Sequence, residues 1–201
     1  MFGVVRQYRT DPGQIDAIVS RTRERFMHPI SKAWSFVSWT LIDAGADGVV
    51  TASVFDDEIG AEVAAGWVRE NQAALALGHP KVTEGPIVFR EVKEHVHAGY
   101  GFLLRYACKP GETGAVAARI RDGFIPSIAA MPGYAGYGSI DAGHGIVVSL
   151  LVFADRESAQ AGERCALAWA QENIAALISS PPEVVFGEIK LRIPASATVN
   201  A

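Results

Sequence analysis

Read as a strand, residues 3–9 put Val4, Arg6 and Tyr8 on one face, and Phe102, Leu104 and Tyr106 take the matching positions of a second such run. Period-two alternation is the mark of a strand with one side buried. After the first of these runs, Asp11-Pro12-Gly13-Gln14 has the form of a helix start, with Asp at the cap and Pro at the first helical position. The period then lengthens. Ile15, Ile18, Val19, Thr22 and Phe26 make a helical stripe, echoed by Ala117, Ile120, Phe124 and Ile128. Two β-rich runs, 35–42 and 48–55, flank Asp43-Ala44-Gly45-Ala46-Asp47, a hairpin connection. Asp57 and Asp155 stand where a second helix would be capped, and prolines predict its end near Gly78 and Ser180. A last strand is expected over 82–92 and again over 184–193. The predicted order, β-α-β-β-α-β, is the ferredoxin-like arrangement.

The pattern occurs twice because the residues do. Shifted by 98 positions, residues 3–57 match their counterparts at 18 of 55 positions; shifted by 102, residues 67–91 match at 11 of 25. The matches include Ile42-Asp43-Ala44-Gly45 with Ile140-Asp141-Ala142-Gly143, and Trp67-x-x-Glu70-Asn71 with Trp169-x-x-Glu172-Asn173. A repeat this long is a duplicated domain rather than a solenoid unit. The expected organisation is an α+β chain of two tandem ferredoxin-like halves, 1–95 and 99–194, followed by a loose tail over 195–201. One such half leaves a sheet face bare, and a second copy can cover it. The pair is therefore expected to close as an intramolecular dimeric α+β barrel, either a monomer or a homodimer of such pseudo-dimers.

Composition narrows the functional classes. The chain has 201 residues, 49% hydrophobic and 20% charged, with a net charge of −4. That balance argues against a nucleic-acid surface, and the apolar runs are too short for a membrane-spanning helix. Cys108 and Cys165 belong to no metal or redox motif, which favours free thiols and a cytoplasmic location. No phosphate loop, nucleophile elbow or HExxH motif is present. His95 and His97 share a two-residue register with Glu91, a weak metal pattern that an exposed connector explains equally well; no metal site is expected.

The second half carries Met131-Pro132-Gly133-Tyr134-x-x-Tyr137, the Trp169/Asn173 block and Pro181-Pro182-Glu183-Val184. On these motifs it resembles the antibiotic-biosynthesis-monooxygenase-like domains of the dimeric α+β barrel superfamily. The first half shares the Trp67/Asn71 block but has Ala33-Trp34-Ser35-Phe36 in place of Met-Pro-Gly-Tyr. The resemblance implies an oxidoreductase that oxidises small aromatic or polycyclic phenols without a cofactor. Non-catalytic small-ligand or stress-related barrels and haem-binding or haem-degrading proteins are the alternatives. The last is disfavoured because the first strands lack Asn and His79 stands twelve residues after Trp67.

A Trp and an Asn four residues apart share a helix face, and could offer an aromatic ligand a stacking surface and a hydrogen bond. The competing reading is a core Trp beside an amide satisfied by backbone. Arg6 and Tyr8 add a cation and a proton donor on one strand face, suited to an anionic phenolate. The candidate catalytic residues are therefore Arg6, Tyr8, Trp67 and Asn71, with Trp39, Tyr106, Tyr137, Trp169 and Asn173 as candidate ligand contacts. Strand parity places Trp39 and Tyr137 on one face and Phe36 and Tyr134 on the other. Because Arg6 corresponds to Leu104, the halves are expected to have diverged, with the working site in the first.

Overall fold

A computed structural model describes residues 1–11, 13–75 and 77–193. The expectations for Pro12 and for the tail fall outside these residues. The elements are β1 (Phe2–Tyr8), α1 (Ile15–Arg25), α2 (Met27–Ser31), β2 (Phe36–Asp43), β3 (Val49–Phe55), α3 (Glu58–Leu75), β4 (Lys81–Val92), β5 (Tyr100–Ala107), α4 (Thr113–Arg119), α5 (Ile125–Ala129), β6 (Tyr134–Asp141), β7 (Ile146–Phe153), α6 (Arg156–Asn173) and β8 (Glu183–Ile193). The eight strands form a closed barrel in the hydrogen-bonded order β1-β3-β2-β8-β5-β7-β6-β4.

Contacts gather into two compact units, Met1–Glu84 with the C-terminal stretch from Ile189, and Gly85–Glu188. These differ from the halves 1–95 and 99–194: β4 passes from the first unit to the second at Glu84/Gly85, and β8 returns at Glu188/Ile189.

In the first unit β3 is the middle strand of β1-β3-β2, with Arg6 opposite Thr51, Leu41 opposite Thr51 and Trp39 opposite Ser53. Val4, Tyr8, Trp39, Leu41, Val49 and Phe55 are buried with Ile18, Phe26, Ala64 and Val68 in one core. These positions alternate along the strands, so a single sheet face is roofed by the helices. The second unit repeats the arrangement with β7 between β5 and β6, over a core that includes Phe102, Leu104, Tyr106, Ile120, Phe124, Tyr137 and Phe153. Gly162 of α6 belongs to this packing, since a Cβ there would lie 2.4 Å from the Phe153 ring.

Three local features differ from the sequence expectations. First, α1 begins at Ile15, with Gln14 as its cap residue and no side-chain cap bond. Asp11 instead accepts the Gln14 backbone N–H on its carbonyl, at 3.3 Å, and Gly13 between them adopts φ +83°. Second, a bulge between Phe36 and Ser38, repeated between Tyr134 and Gly136, resets strand parity. A bulge sets two residues against one, so Phe36 joins Trp39, and Tyr134 joins Tyr137, on the same core face rather than the opposite one. Third, α4 passes into α5 through a π-helical turn over 120–124. Gly123 sits there against Trp169, which would lie 3.3 Å from an added Cβ.

The second helix of each repeat starts as expected. Asp57 accepts the Gly60 N–H at 2.8 Å, and Asp155 accepts the Ser158 N–H at 2.8 Å and the Ser158 hydroxyl at 3.1 Å. The bonds from Ser158 hold the Asp155 carboxyl below its ordinary value of 3.8. Asp155→Ala should therefore lower the thermal midpoint at neutral pH. The folded-state pKa is the depressed one. The difference between wild type and variant is then complete above the unfolded-state pKa and shrinks as pH falls through the folded-state value. Thermal melts of both proteins across the acid range measure it, and equal midpoints at neutral pH would remove the cap from the account.

Candidate functional site

Arg6 points from the middle of β1 into the helix-covered side of the first unit and is only 6% exposed. It lines a cavity together with Tyr8, Thr22, Phe26, Trp39, Leu41, Thr51, Val68 and Leu77. The cavity has about 330 Å³ of empty space including its open mouth, of which about 20 Å³ is wide enough for a water-sized centre. Adjacent strands bring Arg6, Leu41 and Thr51 side by side through their register, and α1 lays Thr22 and Phe26 above them.

Two polar groups in this wall are unusual. Burial disfavours the charge of the Arg6 guanidinium, and the fields of Tyr8 and Glu84 favour it while Arg69 opposes it. Among the described residues, no hydrogen bond to that guanidinium is found. The Thr22 hydroxyl is fully buried and has no hydrogen-bond partner. A dry cation and an orphaned hydroxyl each cost free energy unless a third group satisfies them. Burial also raises the Tyr8 phenol above its ordinary pKa of 10, against the pull of Arg6, so Tyr8 is a proton donor at neutral pH.

The structure brings Arg6, Tyr8 and Trp39 to this cavity and leaves other candidates elsewhere. Trp67 is one ring removed: it packs on Phe26 at 5.3 Å, and Phe26 packs on Trp39 at 5.0 Å. The Asn71 amide donates to the Trp67 carbonyl at 2.8 Å, and Asn173 donates to the Trp169 carbonyl at 2.9 Å. Each amide thus has one N–H engaged within its own helix, and its second N–H and its carbonyl oxygen are not used by these bonds. Trp169 and Asn173 border an open cleft with Arg119, Asp122 and Gly123, where Arg119 donates to the Asn173 carbonyl. Tyr106 is buried in the second core, and burial raises its pKa well above the ordinary value. Tyr137 bonds to Ser149 at 2.7 Å. Among the described residues, His95, His97 and Glu91 form no metal-holding group.

Thr22 and Thr51 are the site residues that the motifs missed. A signal was present: position 22 is polar within an otherwise apolar helical stripe, and its counterpart is Ile120. The same shift pairs Arg6 with Leu104 and Phe26 with Phe124, and all three second-unit residues are core. The Arg6 cation and the Thr22 hydroxyl of the first cavity therefore have no equivalent there. Replacing an orphaned hydroxyl by a methyl removes a desolvation cost, so Thr22→Val should raise stability by about 1 kcal/mol. Ile120→Thr should lower it by about 1–3 kcal/mol, because it buries a hydroxyl in an apolar core. Chemical denaturation of both variants tests this, and a destabilised Thr22→Val would show that the hydroxyl is satisfied in solution.

No protein-family model matches the chain, and no curated protein matches it. Solved structures do. A provisionally assigned monooxygenase from Fusobacterium nucleatum superposes with a TM-score of 0.77 at 9% identity, covering 96% of this chain and 94% of that one. One from Lactobacillus acidophilus gives 0.74 at 10% identity, over 97% of both chains. An anthrone oxidase-like protein gives 0.67 at 11% identity, over 100% of this chain and 95% of its own. At such identities the likeness concerns the backbone: the chain shares the α+β barrel fold of these structures.

Proposed function

We propose that the protein binds a small phenolic compound in the first-unit cavity and oxidises it with molecular oxygen, without a cofactor. The observation that carries this reading is the largely buried Arg6 guanidinium, which has no hydrogen-bonded acceptor among the described residues and shares its cavity wall with the orphaned Thr22 hydroxyl. An anionic or phenolic oxygen in that cavity would satisfy both groups, with the ring occupying the open mouth among Phe26, Trp39 and Leu77. As the cavity stands, a single ring fits this description better than a polycyclic one.

Arg6 then holds the phenolate form, because a fixed cation in a dry site lowers the free energy of the adjacent anion. Electrons pass from the phenolate ring to oxygen. One oxygen atom is retained as a quinone carbonyl at the ring carbon that loses its hydrogen, and the other leaves as water. Tyr8 is placed to donate a proton toward the reduced oxygen. Trp67 acts through Phe26 and Trp39, and is a positioning residue. In this reading the halves 1–95 and 99–194 are diverged copies of one domain, and the second keeps its sheet covered without sharing the chemistry. The monooxygenase and anthrone oxidase-like neighbours support the reaction class.

Oxygen consumption with a panel of hydroquinones and simple phenols tests the proposal. Arg6→Met should retain the fold and reduce kcat/KM by at least about a hundredfold, the scale of losing one transition-state charge partner. Tyr8→Phe should lower kcat with little change in KM. Turnover that persists undiminished in Arg6→Met would remove the cavity from the reaction, and phenol binding without oxygen uptake would leave a binding protein.

A further inference from the structure

The second unit contains a cleft of about 220 Å³ between α4 and the strands β4 and β6, lined by Val88, Phe89, Ala117, Ile120, Tyr137 and Ser139 among others. It overlaps the counterpart of the first cavity only in part: Ile120, Tyr137 and Ser139 match Thr22, Trp39 and Leu41, whereas Leu104, Tyr106, Phe124 and Ala170, which match Arg6, Tyr8, Phe26 and Val68, are not part of its lining. The room comes from small side chains on α4: Gly114, Ala117 and Ala118 stand where the first repeat has Asp16, Val19 and Ser20.

One wall of the cleft is a buried trio of hydroxyls. The Tyr137 and Ser149 hydroxyl oxygens lie 2.7 Å apart, and Ser149 donates to Ser139 at 3.2 Å. Ser139 is 4% exposed and Ser149 is fully buried. The Ser139 oxygen accepts from Ser149 and its hydroxyl bonds to Tyr137, so an oxygen in the cleft would compete with Tyr137 for the Ser139 proton. In the first repeat the same positions carry Trp39, Leu41 and Thr51. The rest of the wall is apolar apart from Arg121, and Phe89 meets Tyr137 at 5.9 Å between ring centroids. The Arg121 guanidinium is paired with its neighbour Asp122, to which it donates at 2.7 Å. A mostly apolar cleft with a few directed polar groups is the anatomy of a small-molecule site. An enclosed volume of about 150 Å³ suffices for benzene.

We infer that this cleft is a second small-molecule site, selective for a neutral single-ring compound bearing one oxygen that hydrogen-bonds to Ser139. Its chemistry is opposite to that of the Arg6 cavity, which takes an anion, and it does not depend on the reaction assigned there. The one charge in its wall, Arg121, is paired with Asp122, so the site favours a neutral ligand and binds without transforming it.

The probes are 4-fluorophenol, neutral at pH 7, and fluorobenzene, which has the same ring without the hydroxyl, both followed by fluorine NMR. Wild type should bind both, the phenol more tightly. Ala117→Leu, which fills the cleft from the helix side, should weaken both by at least tenfold. Ser139→Ala should weaken 4-fluorophenol by about three- to tenfold, the worth of one hydrogen bond, and leave fluorobenzene unchanged. In an Arg6→Met background, where the first cavity has lost its cation, both probes should still bind and Ala117→Leu should still weaken them, which separates this site from the first cavity. Retained affinity in a folded Ala117→Leu variant of that background would overturn the inference. If Ala117→Leu does not fold, amide shifts of the wild type decide. Perturbations gathered on residues 114–121 and 137–139 support the site, and perturbations gathered elsewhere overturn it.

Discussion

Each sheet face that meets the helices can be dry or wet, but not both, because strand side chains alternate and the helices cover only one side. Everything of functional interest follows from what the chain places on that dry face. Apolar side chains there need no justification, and most of the covered positions in both units are apolar. An arginine in the middle of β1 does need one. Its guanidinium is almost wholly withdrawn from water, so its environment must supply an acceptor or leave room for one. The cavity beside Thr22 is that room.

The two units answer this constraint in different ways. The first keeps charge and hydroxyls around a small well and packs aromatic rings behind it, from Trp39 through Phe26 to Trp67. Its counterpart removes the charge, replacing Arg6 with Leu104 and Thr22 with Ile120, and gathers its buried polarity into Tyr137, Ser139 and Ser149. These hydroxyls bond to one another, so they are satisfied without a ligand. The backbones obey the same rules, and the difference lies in a handful of side chains on equivalent strand positions.

Much of this was legible in the chain because strand alternation, helix period and Asp caps are local signals. The strands at residues 2–8, 81–92 and 183–193 fall within a residue or so of where the pattern places them. What escaped was set by contacts between distant segments or by hydrogen bonds within a helix. The bulges that bring Phe36 and Trp39 onto one face arise from pairing with β3, which parity counting ignores. Asn71 looked available because helical spacing shows which face a side chain occupies but not that its amide turns back to a carbonyl four residues earlier. Thr22 was visible as a polar interruption of a stripe, yet its meaning depended on Arg6, sixteen positions away and on another element.

The order in which the two units can be completed during synthesis differs. Gly85–Glu188 is one uninterrupted stretch, available as soon as its last residue emerges from the ribosome. The first unit is begun earlier but closed later, because Leu191 and Ile193 of β8 pack into its core. Until those residues arrive, the sheet that carries Arg6 waits with part of its apolar surface uncovered. The segment made earlier is thus the later to become native, and the nascent chain carries an exposed core across roughly a hundred further residues of translation, the circumstance in which chaperone engagement is most useful.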